Sequence, residues 1–387
     1  MLFVIEIYYF FERGDKMTIK VMSIFGTRPE AIKMAPLIKA LEKDTRFESI
    51  VTITAQHREM LDQVMEIFSL KADFDLDIMS NGQTLTDITT KVLLELQPVL
   101  KQARPDIVLV HGDTTTTFAA ATAAFYQQIP IGHVEAGLRT YKKYSPYPEE
   151  ANRQLTDVLS DLYFAPTATS AENLQQEHHL SDHIYITGNT AIDAMKYTLK
   201  KEYGHPALSA DKKQILVTMH RRENLGDKMA SVFHALRRLA TEFPEVSIVF
   251  PMHKNPLVRQ NARKQLGDLA NVALIEPLDV VDFHNIAARS YLIMTDSGGV
   301  QEEAPSLGVP VLVLRDTTER PEGIKAGTLR LVGTDEEQVY EAAKNLLTSQ
   351  EAYKKMAQAK NPYGDGKASE RILNAIVAYF TKNNEGI

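Results

Sequence analysis

The sequence contains no cysteine among its 387 residues. This absence excludes disulfide bonds and thiolate chemistry, and a reducing cytoplasm is therefore the expected location. No HExxH or paired-cysteine spacing is present, so we predict no protein-held metal. No GxGxxG follows the first predicted strand, which argues against a dinucleotide cofactor. The chain also lacks internal repeats and low-complexity segments.

An excess of positive charge is absent as well, because the formal net charge is -7. We therefore expect no nucleic acid partner for the whole molecule. Any anionic ligand would have to be met by a local group of cations. Hydrophobic residues make up 44% and charged residues 24% of the chain, a balance typical of soluble globular proteins. The length predicts two or three domains of roughly 150 residues each.

The first 16 residues, MLFVIEIYYFFERGDK, are apolar but too short to span a bilayer. They lack the cationic start and small-residue cleavage site of a signal peptide. Met17 is a second start position, directly before the first predicted strand. We expect residues 1–16 to form an N-terminal extension outside the fold, with an extra edge strand as the alternative. We expect no membrane partner.

Short apolar runs alternate with helical patterns along the rest of the chain. This alternation predicts an α/β protein with parallel sheets covered on both faces. The predicted strands are 18–25, 49–55, 106–111, 130–134, 162–165, 183–187, 214–219, 246–251, 271–276, 291–295, 309–314 and 328–332. The clearest helical patterns are 29–43, 84–102, 115–128, 169–179 and 227–243. We read these as two doubly wound Rossmann-like domains with a cleft between them.

The domain boundary is predicted near TGNTAIDAM, residues 187–195, because a polar stretch follows it and a new strand then begins. One face of the last helical pattern is apolar and is expected to return to the first domain. The N-terminal domain would comprise residues 17–188 and 367–387, and the C-terminal domain residues 189–366. In such folds, ligands bind at the carboxyl ends of the strands.

The stretch FGTRPEAIKMAP, residues 25–36, places two cations where a strand turns into a helix. Arg28 stands at the helix N-terminus and Lys33 about one turn further on. A helix N-terminus is already electropositive, so Asp or Glu would be the stabilising choice there. Either both side chains extend into water, or an anion binds at this corner.

Polar side chains follow several other predicted strands. The motifs HGDTTTT, GHVEAGLRT, YSPYPEEANRQ, MHRREN, TDSGGVQEEAPSLG and RDTTERPEG supply His111, Asp113, His133, Glu135, Glu149, Glu150, His220, Arg221, Arg222, Asp296, Ser297, Gly298, Gly299, Arg315 and Arg320. Structural explanations exist: a helix N-cap for Asp113, dipole partners for the two glutamates, a buried imidazole with satisfied hydrogen bonds for His111 and a solvated loop for HRRE. Their repeated position at strand ends favours a binding site.

The Ser-Gly-Gly turn opens a predicted helix and suits a phosphate, because its backbone amides can approach an anion closely. Glu303 lies one turn into that helix, where a carboxylate would accept hydrogen bonds from neutral hydroxyls such as those of a ribose. The combination predicts a nucleotide ligand. The cations expected to clamp its diphosphate are Arg28, Lys33, His220 and Arg320.

With these motifs in order, the chain resembles the non-hydrolysing UDP-N-acetylglucosamine 2-epimerase family of bacteria, from about residue 20 to residue 371. The resemblance implies a GT-B-type arrangement, a cytoplasmic homodimer, and no cofactor or essential metal. It implies reversible conversion of UDP-N-acetylglucosamine to UDP-N-acetylmannosamine through loss and re-addition of UDP, with 2-acetamidoglucal as intermediate. The product would supply cell-surface polysaccharide or teichoic-acid synthesis.

The resemblance also implies roles for individual residues. The catalytic groups would be Asp113, Glu135, Glu149 and His220, of which Asp113, Glu135 and His220 would also contact the substrate. The UDP contacts would be Arg28, Lys33, Ser297, Gly298, Gly299, Glu303 and Arg320, with Leu278 and Phe283 beside the uracil. A second, regulatory UDP-N-acetylglucosamine site would be lined by Gln56, Glu59, Glu149, Arg221 and His253. Glu59 replaces an expected Gln and Gly82 an expected Arg, which weakens this regulatory prediction.

Inverting C2 requires loss and return of its proton. Because C2 is not next to a carbonyl carbon, elimination of UDP is a better path than a simple carbanion. Two carboxyl groups with different pKa values would serve the two faces, and the sequence does not assign them. Two other functions remain open: a GT-B-type glycosyltransferase that needs an acceptor, and a non-catalytic nucleotide-sugar sensor.

Overall fold

The computed structural model describes residues 18–55, 58–80, 82–209, 211–318 and 320–385, without the side chains of Glu59, Arg222 and residues 383–385. Residues 1–16 and Gln56 therefore lie outside the described residues. The predictions made for them, and for the Glu59 side chain, stay predictions.

The first half of the chain forms a seven-stranded parallel sheet with strand order β3-β2-β1-β4-β5-β6-β7. Its strands are β1 (Ile19–Phe25), β2 (Phe47–Ile53), β3 (Phe74–Asp75), β4 (Ile107–His111), β5 (Ile131–Val134), β6 (Leu162–Ala165) and β7 (Ile184–Ile186). Its helices are α1 (Arg28–Lys43), α2 (Arg58–Ile67), α3 (Leu85–Ala103), α4 (Thr115–Tyr126), α5 (Glu149–Leu159) and α6 (Ala168–Gln176), and α7 (Thr190–Thr198) follows β7.

The second half forms a six-stranded parallel sheet with strand order β10-β9-β8-β11-β12-β13. Its strands are β8 (Lys213–Thr218), β9 (Val246–Pro251), β10 (Val272–Ile275), β11 (Leu292–Thr295), β12 (Val311–Val313) and β13 (Leu329–Leu331). The helices are α8 (Asp227–Glu242), α9 (Pro256–Leu266), α10 (Val280–Ala288), α11 (Gly298–Glu303), α12 (Pro321–Ala326), α13 (Glu336–Thr348), α14 (Gln350–Ala357) and α15 (Ala368–Glu385). Short 3-10 turns occupy Ser181–His183, Arg222–Asn224 and Ala304–Leu307.

The central strand β1 shows why the apolar runs form buried parallel strands. Successive side chains of a strand point to opposite faces. Val21 and Phe25 pack in one hydrophobic cluster with α1, while Met22 and Ile24 pack in a second cluster with α3 and α4. Both faces of the sheet are therefore covered, as in doubly wound folds. The predicted fold of two Rossmann-like domains is confirmed.

One strand was not predicted. Strand β3 has only the two residues Phe74 and Asp75, neither of them buried. So short a strand carries no apolar pattern. In the described part of the chain, no helix is long and apolar enough to cross a membrane.

The last helix, α15, packs against α1 and α7, and its Ile372 and Ile376 lie in the same cluster as Phe25. The segments that connect the two sheets touch each other. The Asn189 N–H donates to the Tyr363 carbonyl at 2.7 Å, and a Cβ on Gly188 would lie 3.1 Å from the Gly364 Cα atom. The domain bounds given above stay a prediction.

Candidate functional site

A buried carboxylate joins the GTRPE corner to the HGDTTTT loop. Glu30 accepts hydrogen bonds from the backbone N–H groups of Gly26 (3.1 Å) and Thr27 (2.7 Å). Its other oxygen accepts from the hydroxyls of Thr114 (2.7 Å) and Thr117 (3.0 Å). Since β1 and β4 are neighbours in the sheet, both loops lie at the same edge and Glu30 holds them together.

Lys33 does not extend into water. Its side chain is only 14% exposed, and its Nζ pairs with Glu135 and lies 3.8 Å from Glu302 Oε2. The Asn189 amide donates to the same two carboxylates, at 3.1 Å to Glu135 and 2.8 Å to Glu302. Glu135 follows β5 and Glu302 lies on α11, so these contacts connect the facing edges of the two sheets.

The two carboxylates have opposite pKa shifts. Burial alone would raise the pKa of Glu135, but the charges of Lys33 and Arg153 hold it well below its usual value. Burial raises the pKa of Glu302, and the cations Arg320 and Lys33 offset this only in part. One carboxyl group is thereby kept ionised while its neighbour is easier to protonate, an arrangement that suits acid–base chemistry.

Arg153, on α5, organises the first edge of the cleft. Its guanidinium is buried and donates to the Glu135 carbonyl and to the Asp113 carboxylate, and it lies 3.4 Å from Glu135 Oε1. The neighbouring Asn152 amide donates to the Asp113 carbonyl at 3.0 Å. The Asp113 side chain keeps about 30% exposure, so the carboxylate is held in place yet faces open space.

Asp113 is not the helix cap that its position also allowed. The N-cap of α4 is Thr114, whose hydroxyl accepts the Thr117 N–H at 3.1 Å. Asp113 precedes the cap, and its carboxylate accepts a hydrogen bond from Arg153 instead. The structural explanation for this residue was therefore wrong.

The two glutamates at the start of α5 differ. The Glu150 carboxylate accepts the backbone N–H groups of Thr140 and Tyr141, both at 2.9 Å, and so fixes the preceding loop. In contrast, the buried Oε2 of Glu149 has no hydrogen-bond partner among the described residues. Glu149 lies one turn before Arg153, on the same face of the helix. Its carboxylate is free to meet a ligand.

His111 is a buried imidazole beside Glu135. Its Nε2 lies 3.6 Å from Glu135 Oε2, and neither ring nitrogen has a hydrogen-bond partner among the described residues. Burial, together with the nearby Lys33 and Arg153 charges, lowers the pKa of His111 to about 3. The ring is therefore neutral at physiological pH.

Asp296, at the end of β11, positions the MHRREN loop. Its Oδ2 accepts the backbone N–H groups of His220 (2.9 Å) and Arg221 (2.8 Å) and the Asn224 amide (3.0 Å). The His220 ring stacks on His253 with centroids 5.5 Å apart. Burial lowers the pKa of His220, and the nearby His253 and Arg221 lower it further. We expect a neutral ring that donates a hydrogen bond to a phosphate, rather than the cation inferred from the sequence.

The Ser-Gly-Gly turn opens α11 as predicted, with Ser297 as N-cap. Gly298 leaves room for Arg320 in its present position, because a Cβ there would come within 2.9 Å of the Arg320 guanidinium carbon. The Arg320 Nε donates to Glu302 at 2.9 Å. A guanidinium thus lies directly beside the backbone amides of the turn.

The remaining residues predicted to bind UDP are Arg28, Leu278, Phe283 and Glu303. The Arg28 guanidinium donates to the Leu278 carbonyl at 3.4 Å, across the cleft. Phe283 lies on α10 next to His284, whose Nε2 is 3.4 Å from Glu303 Oε2. The Glu303 side chain keeps 16% exposure. The structure therefore joins Arg28 to Leu278 across the cleft and places Phe283 next to a histidine that approaches Glu303.

Of the residues predicted to form a regulatory site, the structure places Arg221 and His253 beside His220. Gly82 has a φ of +71° in the loop before α3. Within the ranges that the structure describes, no three His, Asp or Glu side chains are grouped to hold a metal ion.

Sequence reasoning missed Arg153, Asn189 and Glu302. Arg153 lies four residues after Glu149 in the YPEEANRQ motif, and this helical spacing was the available signal. Asn189 lies within the boundary motif TGNTAIDAM. Glu302 adjoins Glu303, and sequence alone did not show which of the two faces Lys33.

The fold and site define a class, the two-domain GT-B-type proteins. A solved glycotransferase of kitacinnamycin shares the fold, with a TM-score of 0.63 at 12% identity over 92% of this chain and 99% of that chain. The sequence profile described as UDP-N-acetylglucosamine 2-epimerase matches residues 39–377.

Two relatives are much more similar. A UDP-N-acetylglucosamine 2-epimerase of Bacillus subtilis is 59% identical over 369 residues, covering 95% of this chain and 97% of that protein. The structure of UDP-GlcNAc 2-epimerase from Neisseria meningitidis bound to UDP-GlcNAc has a TM-score of 0.86 at 51% identity, covering 93% of this chain and 100% of that chain. The chain belongs to the UDP-N-acetylglucosamine 2-epimerase family, which confirms the resemblance seen in its motifs.

Proposed function

We propose that the protein interconverts UDP-N-acetylglucosamine and UDP-N-acetylmannosamine by inverting C2 of the sugar. The observation that carries this proposal is a chain of contacts across the cleft: Arg153 joins Asp113 to Glu135, Lys33 joins Glu135 to Glu302, and Glu302 pairs with Arg320. Binding a nucleotide sugar needs cations and amides, but it does not need a cluster of carboxylates beside them. The carboxylates therefore favour proton transfer over binding alone.

In the proposed reaction, the C1–O bond breaks and its electron pair leaves with the UDP oxygen. The C2 proton passes to a carboxylate, and the electron pair of the C2–H bond forms the double bond of 2-acetamidoglucal. UDP then adds back to C1 while C2 takes a proton on the other face. Atoms and electrons balance without an oxidant, a reductant or a cofactor.

The described residues divide between two tasks. Arg28, Lys33, Arg320 and the amides of Ser297 to Gly299 would stabilise the departing diphosphate, the main electrostatic demand of the step. His220 would donate to a phosphate oxygen. Asp113, Glu135 and Glu149 would carry the proton on the two faces, with the assignment of each face left to experiment.

The nucleoside would lie along the second sheet. Glu303 would accept the ribose hydroxyls, and the Leu278 backbone and Phe283 would border the uracil. A second UDP-N-acetylglucosamine would occupy the regulatory pocket of Gln56, Glu59, Glu149, Arg221 and His253. The contact between the His220 and His253 rings supports coupling of that pocket to the catalytic cleft.

We also propose a homodimer in the cytoplasm that supplies cell-surface polysaccharide or teichoic-acid synthesis. An exposed apolar face on α3, α4 and α5 supports the dimer, because large apolar patches mark interaction sites. The exposed large apolar side chains on these helices are Leu85, Leu94, Phe125, Tyr126, Leu155 and Val158. Sedimentation should give twice the chain mass, and charged substitutions at Phe125 and Val158 should reduce it to the monomer mass.

One experiment tests the reaction. The protein is incubated with UDP-N-acetylglucosamine alone in heavy water and followed by proton NMR. Deuterium at C2 together with a manno product is the expected result. Unchanged substrate in the absence of an acceptor, with sugar transfer once an acceptor is added, would instead show a glycosyltransferase. Tight binding without either reaction would show a sensor.

A further inference from the structure

His133 has no place in the reaction proposed above, yet it is one of the most constrained side chains near the cleft. It lies in β5 and is fully buried, with 0% exposure. Its Nδ1 lies 2.6 Å from Asp157 Oδ1, and its Nε2 lies 2.7 Å from the Gly112 carbonyl oxygen. The ring therefore spans from α5 to the HGDTTTT loop.

Both neighbours of this ring accept hydrogen bonds. A carbonyl oxygen can only accept, so Nε2 carries a proton and donates to Gly112. The Asp157 carboxylate also accepts the Arg139 guanidinium at 2.6 Å. Burial alone would raise the pKa of Asp157, but His133 and Arg139 hold it below its usual value. Asp157 is thus ionised, and Nδ1 donates to it.

The Nε2 contact fixes the residue that precedes Asp113. Gly112 has a φ of +70°, and its N–H donates to the Val134 carbonyl at 2.9 Å. His133 Nε2 donates to the carbonyl oxygen of Gly112. Both polar backbone groups of Gly112 are therefore bound to β5, and the backbone that carries Asp113 cannot turn without breaking one of them.

We infer that His133 is a positioning residue for Asp113, acting through the Gly112 carbonyl while Asp157 holds the ring. The inference rests on the proposed function, because it assigns Asp113 to the reacting sugar. This role of the His133 ring explains why the buried pair of Arg139 and Asp157 lies behind the cleft. Fixed geometry at a reacting group is worth about 10²-fold in rate for a displacement of about 1 Å.

Two substitutions separate the two contacts of the ring. In His133→Asn, the short amide still reaches Asp157 but not Gly112. In His133→Gln, the longer amide reaches Gly112 but not Asp157. We expect His133→Asn to lower kcat for C2 exchange by roughly 10²-fold with little change in KM. We expect His133→Gln to recover most of that loss.

Glu177→Gln is the matched control. Glu177 accepts from Arg139 at 2.7 and 2.6 Å, at the end of the same network farthest from Gly112. This variant should lower the melting temperature while leaving kcat within about twofold of wild type, a change typical of a contact away from the reacting groups. A network that serves stability alone would give kcat losses unrelated to which contact is removed.

The outcomes are distinct. If wild type shows no exchange at C2, the proposed function fails and the inference falls with it. If wild type exchanges and His133→Asn matches its kcat, or if the Asn and Gln variants lose kcat equally, the inference alone is overturned. Should His133→Asn not fold, ¹⁵N-histidine NMR of wild type decides, with the His133 signals identified by their loss in His133→Gln. An N–H coupling on Nε2 is expected, and an unprotonated Nε2 would overturn the inference.

Discussion

The two edges of the cleft hold their charges in different ways. On the edge of the first sheet, charged side chains are buried and paired, as Glu135 is with Lys33 and Arg153. On the edge of the second sheet, Glu302 is also buried and paired with Arg320, but the backbone amides of the Ser-Gly-Gly turn are available there and the His220 side chain is 41% exposed.

This difference fits two tasks. Burying charges is costly unless geometry and hydrogen bonds are good, so the first edge gains fixed positions for its carboxylates at the cost of desolvation. Amides at a helix N-terminus can receive an anion without another charged partner. The first edge therefore suits proton transfer at a defined point, and the second suits a diphosphate whose charge changes during the reaction.

The largest expected effect comes from removing one arginine from each edge. Arg153→Met should destabilise the fold by roughly 3–5 kcal/mol, because it leaves a buried, ionised Glu135 with one cation fewer. Arg320→Met should cost less, about 1–3 kcal/mol, because the pKa of Glu302 is already raised and this carboxyl can take up a proton. Urea unfolding at pH 7.5 measures both.

Arg153→Met and Arg320→Met should also differ in their affinity for UDP. Arg320→Met should weaken UDP binding measured by calorimetry, whereas Arg153→Met should retain it under conditions where the protein stays folded. Equal losses of stability in the two variants would show that the two edges do not differ as described.

Arg28→Ala is expected to have the next largest effect. Arg28 is only half-buried and contacts the Leu278 carbonyl across the cleft, so the fold should tolerate its loss. Removing a cation from a desolvated diphosphate should cost roughly 2–4 kcal/mol of transition-state stabilisation. Steady-state kinetics and the melting temperature check this together. A variant with both near wild type would remove Arg28 from the diphosphate site.

His111 should give the first edge a pH dependence. The pKa of His111 is lowered from 6.5 to about 3 in the folded protein, so between these values the unfolded chain binds a proton that the folded protein does not. Above pH 6.5, His111 is neutral in both states and does not reduce the free energy of unfolding. As the pH falls below 6.5, protonation of His111 in the unfolded chain lowers the free energy of unfolding by up to about 1.4 kcal/mol per pH unit.

The test compares slopes. The unfolding free energy of wild type and of His111→Asn should be measured between pH 4.5 and 6.5. We expect the slope of the variant to be shallower by up to about 1.4 kcal/mol per unit. Parallel slopes would mean that the buried ring does not resist protonation.

The smallest effect concerns the second edge. In Gly298→Ala, the added Cβ would come within 2.9 Å of the Arg320 guanidinium, whereas in Gly299→Ala its nearest neighbour would be Glu303 Oε1 at 3.8 Å. We expect Gly298→Ala to weaken UDP binding by about 3–10-fold, roughly 1 kcal/mol, through displacement of Arg320. Gly299→Ala is the comparison variant and should weaken UDP binding less, because its Cβ displaces no protein side chain. The reverse order would place the guanidinium elsewhere in the bound state.

Much of the fold was predictable because each strand carries its own local pattern. The run of β1 is apolar on both faces, so it reads as a central parallel strand without knowledge of its neighbours. Strand β3 has no such pattern, and its pairing depends on β2. The sequence analysis missed β3 because this strand is defined by its pairing with β2 and not by a pattern in its own residues.

The residues of the site also fall into those that local sequence predicts and those that it does not. Lys33, Glu135 and the Ser-Gly-Gly turn stand directly after predicted strands, so their position was foreseeable. Arg153 had only its helical spacing from Glu149 as a local signal, and its contact with Asp113, 40 residues earlier, could not be foreseen. The choice between Glu302 and Glu303 depends on the rotation of a six-residue helix, which no local pattern determined.

The contact between Gly188 and Gly364 has a mechanical consequence. The two chain segments that link the sheets meet at one place, which makes this place the natural pivot for any rotation of one sheet against the other. Displacement is smallest near such a pivot and grows with distance from it. Asn189 adjoins this point, and its amide bonds both Glu135 and Glu302. Asn189 thus joins the two edges close to the pivot, where opening of the cleft would displace atoms least. Groups farther from the pivot would be displaced more.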